Sequence, residues 1–323
     1  MYLFSRRDCY STVHKYADVY AFTPSAPISQ VLNIKKVKAK PKDFAFLKNS
    51  ALRHRKRFFM KTFKILALGD ICGPRALKYV TSNLWKIRKQ LNVDMVIANG
   101  ENCAEPNGID KESAISLFDG GVDVITTGNH VWRKNNVFSY LDDEENILRP
   151  LNFPSTNPGH GATVIKIDGI RILCMNVLGS AYMEASGCPF EAVEKALNYH
   201  SGEYDFAVLD IHAEATGEKK AIAYNFADRV SVAFGTHTHV QTNDAQILEG
   251  KCAYITDLGM CGATDSILGV KKEAIIYKMK TKMMSRFDFA EGEMSIEGAL
   301  FEVNTDTWHG VSCKNIKFSG DLK

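Results

Sequence analysis

Five short apolar runs in this chain each stop at residues able to hold a cation. They are KILAL before Asp70, DMVIA before Glu101-Asn102, DVITT before Asn129-His130, DFAVLD before His212, and SVAF before His237-Thr238-His239. In an open α/β sheet, ligands sit beyond the carboxyl ends of the strands. One such cluster is ordinary; five together supply carboxylates, amides and imidazoles. That mixed oxygen and nitrogen set suits Mn, Fe, Zn or Co better than Mg or Ca. A single ion takes about three or four protein ligands. Asp70, Glu101, Asn129, His212, His237 and His239, with Asn102 as a seventh, suffice for two ions if one carboxylate bridges them. Two metals about 3.5–4 Å apart clamp a phosphoryl group and turn a shared water into hydroxide, which hydrolyses phosphate esters. His130 follows Asn129 directly and can reach the site without being spent as a ligand, so its imidazole can protonate a leaving alkoxide. His237 and His239 alternate at a strand end, which predicts that both face one side. The plain alternatives are a helix-capping Asp70, a turn-forming Asn129 and a Cys72 that is only a small buried hydrophobe.

The elements that must carry these residues alternate in type. Strands are predicted at 64–68, 94–98, 123–127, 163–167, 170–176, 205–210, 231–234 and 252–256, and helices at 76–90, 110–119, 189–199 and 271–281. The helix over 76–90 rests on Leu77, Val80, Leu84 and Ile87 at helical spacing. Asp168-Gly169 between two strand runs is a hairpin signal, and a second hairpin is expected over 296–318 around 305–310. The pattern predicts one α/β domain with layered helices and a mixed sheet.

Charge divides the chain near Met60. Residues 1–61 hold fourteen Lys or Arg against Asp8, Asp18 and Asp43, so the remainder of the 40 basic and 37 acidic residues leaves an acidic body. We expect 1–61 to be a basic extension, disordered or not translated, ahead of a catalytic domain at 62–323. Upstream sequence before a true start at Met60 is the favoured reading, because a strand begins just after it. A basic arm touching nucleic acid or anionic lipid, with contact through 35–61, and an organelle transit segment are the others. The eight Cys follow no CxxC spacing, which fits reduced thiols in the cytoplasm. No run of about 18 apolar residues is present, so no membrane span is expected. Homo-oligomerisation stays open.

The strings around these residues resemble the calcineurin-like metallophosphoesterase superfamily. NGEN (99–102), TTGNHVW (126–132), RPLNFP (149–154), DIHAEATGEK (210–219), GTHTHVQT (235–242) and ITDLGMCG (255–262) are similar to its YmdB-like branch over roughly 63–318. The resemblance implies a calcineurin-like sandwich of two mixed β-sheets flanked by helices. It implies a dinuclear 2′,3′-cyclic-nucleotide 2′-phosphodiesterase whose two metals are Fe or Mn, with Zn or Co as alternatives. Asp70 and His239 would then bind the first metal with Asn102 nearby, Glu101 would bridge, Asn129, His212 and His237 would bind the second, and His130 would be the general acid. Glu214 and Thr216 would line the phosphate pocket or simply order their loop. The superfamily's Asp-x-His is Asp70-Ile71-Cys72 here, which leaves metal preference open, and the usual Pro-Gly-Arg turn reads Gly73-Pro74-Arg75. Substrate identity is set by loops such as 103–110 and 179–188, which the motifs do not fix; a small cyclic nucleotide or phosphodiester is expected. The alternatives are a broader phosphatase or phosphodiesterase, or an RNA-binding regulatory protein acting through the basic arm.

Overall fold

The computed structural model describes residues 61–320. The proposals for the basic leader therefore lie outside the described residues, apart from Lys61.

Two mixed sheets form the body. The first is built on four parallel strands, β1 (Thr62–Leu68), β3 (Met95–Asn99), β4 (Val124–Thr126) and β5 (Ile147–Leu148). On its other side β1 pairs antiparallel with β13 (Met294–Asn304). β13 in turn pairs with β12 (Met260–Ala263) and with β14 (Gly310–Ser319), and β12 pairs in parallel with β2 (Asp70–Ile71). The second sheet runs β10 (Gln246–Leu248), β11 (Cys252–Ile255), β9 (Val232–Thr236), β8 (Phe206–His212), β7 (Ile170–Leu178), β6 (Ala162–Ile167). Its four central strands are parallel and both edge pairs are antiparallel.

Period-two alternation explains the layering. Along β1, Ile65 and Ala67 enter the core between the sheets, while Leu66 and Leu68 join the core under the helices. The inter-sheet core also takes Met95, Ile97 and Val124 from the first sheet and Cys174, Val208, Phe234 and Ile255 from the second. Helices α1 (Gly73–Leu91), α2 (Lys111–Asp119) and α3 (Phe138–Asp143) carry residues of the core outside the first sheet. α4 (Pro189–Tyr199) and α5 (Thr216–Asn225) carry residues of the core outside the second. α6 (Lys272–Thr281) buries none of its residues. The predicted spacing in α1 holds, since Leu77, Val80, Leu84 and Ile87 are all buried. Gly73-Pro74-Arg75 is its first turn and not a loop, with proline in the position where a helix needs no amide donor. No helix of the described residues is long and apolar enough to cross a membrane.

Candidate metal centre

The strand ends converge as the sequence predicted. β1 and β2 bring Asp70, and the turn after β3 brings Glu101 and Asn102. The turn after β4 brings Asn129 and His130, β8 ends on His212, and β9 leads to His237 and His239. Asp70 lies within β2 and does not cap α1, whose N-cap position is Cys72 with no capping side chain. The two histidines after β9 do not alternate on a strand. β9 stops at Thr236, and His237 and His239 adopt φ of +95° and +61° in the turn that follows. They consequently point at different partners. His237 Nδ1 lies 3.1 Å from His212 Nε2, whereas His239 Nε2 lies 3.5 Å from Asp70 Oδ1.

Glu101 sits at the middle of this cluster and is fully buried. Its Oε1 is 3.2 Å from His212 Nε2 and 3.3 Å from His130 Nδ1, and its Oε2 accepts from the His130 backbone amide at 3.1 Å. Burial by itself would raise the Glu101 carboxyl, but the His212 and His130 rings outweigh it and hold the group well below the usual range. Asp70 behaves likewise: burial raises it, and His239 brings it down below the ordinary value. Both carboxylates are therefore negative at neutral pH. Burial lowers His237 to about 4, with the neighbouring His212 pushing the same way.

Hydrogen bonds fix the ring orientations. Asp210 Oδ1 accepts the Thr236 hydroxyl at 2.7 Å, so Thr236 Oγ1 must accept from His212 Nδ1, 2.9 Å away. That arrangement turns His212 Nε2 inward, where Glu101 Oε1, Asn129 Oδ1 and His237 Nδ1 all lie within 3.3 Å. A carboxylate, an amide oxygen and two imidazole nitrogens gathered in a buried site make a donor set that suits a cation. Asp70 Oδ1 is buried and makes no well-formed hydrogen bond, its polar neighbour His239 Nε2 lying 3.5 Å away. Donor atoms of Glu101, His212 and His237 fall within 4.8 Å of one another. The residues present thus fit transition metals held by carboxylate, amide and imidazole. Gly128 is required by this crowding, because a Cβ there would lie 2.2 Å from His212 Nε2 and 2.3 Å from Glu101 Oε2.

His130 meets the cluster through Nδ1 and its backbone amide. Its Nδ1 donates to Asn102 Oδ1 at 2.9 Å, and the Asn102 amide donates to Glu101 Oε1 at 3.3 Å. This fixes the ring while Nε2 makes no hydrogen bond. Cys72 Sγ is 3.6 Å from His239 Nδ1 and 3.9 Å from Met260 Sδ, against the outer side of the His239 ring. Glu214 reaches the rim, with Oε2 3.4 Å from His237 Nε2. Thr216 does not join the cluster. It is exposed, makes no hydrogen bond to the centre, and opens α5 where a loop was expected.

Three supporting residues had not been assigned a role from the sequence. Asp210 also accepts from Thr126 Oγ1 at 2.5 Å and from Asn99 Nδ2 at 3.3 Å, so Asp210, Thr236 and Asn99 form the layer that aims His212. The signal was present, since Asp210-Ile-His212 places an acid and an imidazole on one face of a strand.

A sandwich of two mixed sheets with such a cluster at the strand ends defines the calcineurin-like metallophosphoesterases. Within that class the chain belongs to the YmdB-like protein family, whose model matches residues 66–316. It is 36% identical over 258 residues to the 2′,3′-cyclic-nucleotide 2′-phosphodiesterase of Bacillus subtilis, covering 80% of this chain and 98% of that protein. Among solved structures, a hypothetical protein from Thermus thermophilus superposes with a TM-score of 0.74 at 33% identity, covering 80% of this chain and all of that one. A phosphatase from Mycoplasma pneumoniae gives 0.76 at 29% identity, covering 81% of this chain and 95% of that one.

Proposed function

We propose that this protein hydrolyses 2′,3′-cyclic nucleotides at a dinuclear metal centre. The observation that carries the proposal is Glu101, fully buried with Oε1 3.2 Å from His212 Nε2 and 3.3 Å from the amide of Asn102. That amide itself lies 3.4 Å from His239 Nε2, so that one carboxylate at the centre of the cluster can serve two ions. Asp70 and His239 would hold the first metal, and Asn129, His212 and His237 the second, with Fe or Mn preferred to Zn or Co. When bound, the metals supply positive charge to the phosphoryl oxygens and an activated water. The chain's own residues do the rest. Asp210 and Thr236 keep His212 in the tautomer whose Nε2 can ligate. Asn102 holds the His130 ring by Nδ1, leaving Nε2 to deliver a proton to the departing ribose oxygen. Asn102 is thereby more an orienting residue than a ligand. The cyclic nucleotide of the Bacillus subtilis relative supports the substrate class. Seven free cysteines among the described residues support a reducing, cytoplasmic setting.

The test is turnover of 2′,3′-cyclic AMP, 3′,5′-cyclic AMP and p-nitrophenyl esters by metal-assayed protein. Preference for the 2′,3′-cyclic diester with two metals per chain is expected. Equal turnover of simple monoesters would favour a broader phosphatase, and one metal per chain would remove the dinuclear assignment.

A further inference from the structure

β7 and β8 are parallel neighbours, with Leu178 opposite His212. The loop that follows β7 therefore leaves the sheet at the same carboxyl edge as the metal centre, on the His212 side. Its first residue is tied to that histidine, since the Gly179 amide donates to the His212 carbonyl at 2.9 Å. A Cβ at Gly179 would lie 2.5 Å from the Ala213 Cβ and 2.6 Å from Glu218 Oε2, so the loop is pressed against the chain that leaves His212.

Both ends of the loop are held. Glu218 accepts from the Ser180 amide at 2.8 Å and from the Ala181 amide at 3.1 Å. Asn152 Nδ2 donates to Ser186 Oγ at 3.0 Å, and the Gly187 amide donates to the Asn152 carbonyl at 2.8 Å. Tyr182 stands between these anchors and is left in water. It is 91% exposed, the most exposed aromatic among the described residues, and its φ is +64°. A bulky side chain in the left-handed region is strained, and an aromatic ring in solvent forgoes its large burial gain. Costs of this kind gather where a ligand is met. Tyr182 is three residues past Gly179, so its Cα lies within about 11 Å of the residue bonded to His212. One nucleotide and a tyrosine side chain together span that distance.

We propose that Tyr182 is the platform on which the base of the nucleotide stacks while its phosphate occupies the metal centre. The assignment rests on the phosphodiesterase reading above and adds the feature that separates a nucleotide from any small cyclic diester. An aromatic face accepts every base, so recognition extends over purines and pyrimidines alike.

Calorimetry on metal-loaded protein compares adenosine 3′-monophosphate, the product of opening the 2′ ester, with inorganic phosphate. Wild type should hold the nucleotide more tightly than phosphate. Tyr182→Ala should lose roughly 5–150-fold in affinity for the nucleotide, and Tyr182→Trp should restore it. The ratio of kcat/KM for 2′,3′-cyclic AMP to that for glycerol 1,2-cyclic phosphate, which has no base, should fall by a similar factor in Tyr182→Ala. The platform is overturned by nucleotide affinity unchanged in Tyr182→Ala, by a loss that Tyr182→Trp does not restore, or by wild type holding the nucleotide no more tightly than phosphate. If wild type opens neither cyclic diester, the hydrolytic reading fails, and the affinities still decide the role of Tyr182.

Discussion

Glu101 and His130 are neighbours with opposite expected phenotypes. Glu101 is surrounded by imidazoles and serves as the shared carboxylate of the proposed centre, so Glu101→Ala should empty at least one metal position and lower activity by 10²-fold or more, to order of magnitude. Full metal content by elemental mass spectrometry would defeat the bridging role. His130→Ala should keep both metals, because Nε2 is directed at no ligand partner. Its loss should be roughly 10²–10⁴-fold on 2′,3′-cyclic AMP and much smaller on bis-p-nitrophenyl phosphate, whose phenolate leaves without a proton. Equal losses on both would mean that His130 positions or polarises instead. Gly128→Ala introduces a methyl into the His212–Glu101 contact and should abolish metal binding in a protein of native circular dichroism. At this scale the sequence was most informative, because strand ends gather their polar residues whatever the details between them. It misled at His237 and His239, since alternation assumes a strand, and the positive φ of both residues belongs to a turn that residue type alone does not announce.

That turn is braced by elements remote in sequence. Lys219 of α5 and Asp257, just past β11, form an ion pair at 2.6 Å with both side chains fully buried. Asp257 Oδ2 also accepts from the Thr238 hydroxyl at 2.7 Å and its amide at 3.2 Å, gripping the residue between the two histidines. Burial drives the Asp257 carboxyl upward while Lys219 restrains it. Removing one charge of a buried pair costs about 3–5 kcal/mol. Lys219→Met should therefore lower stability by about that amount, measured by urea unfolding. The double replacement with Asp257→Leu should recover much of the stability without recovering metal affinity, because Thr238 still lacks its acceptor. Restored metal affinity in the double variant would make the pair a purely structural one. α5 itself escaped sequence reading because Gly217 and two lysines blur its periodicity, and β2, β5, β10 and β12 are too short to give a period at all. The long strands and α1, α2, α4 and α6 were legible to within a few residues, since each carries enough apolar positions to state its period.

For the whole molecule, every residue assigned to the metal centre lies between Asp70 and His239, and the first strand starts at Thr62. Protein beginning at Met60 should accordingly retain metal content, melting temperature and turnover. Loss of any of the three would show that residues before Met60 support the body. The two-sheet architecture also sets a schedule. β1, at the start of the described fold, finds its antiparallel partner in β13, with Leu68 opposite Gly298 and Thr62 opposite Asn304. More than two hundred residues must therefore leave the ribosome before one side of β1 can close. Through that interval an apolar strand has an open edge, which is the condition under which nascent chains aggregate or recruit chaperones. Chains halted shortly before β13 would already carry every proposed metal ligand and still be unable to complete the sheet that presents Asp70.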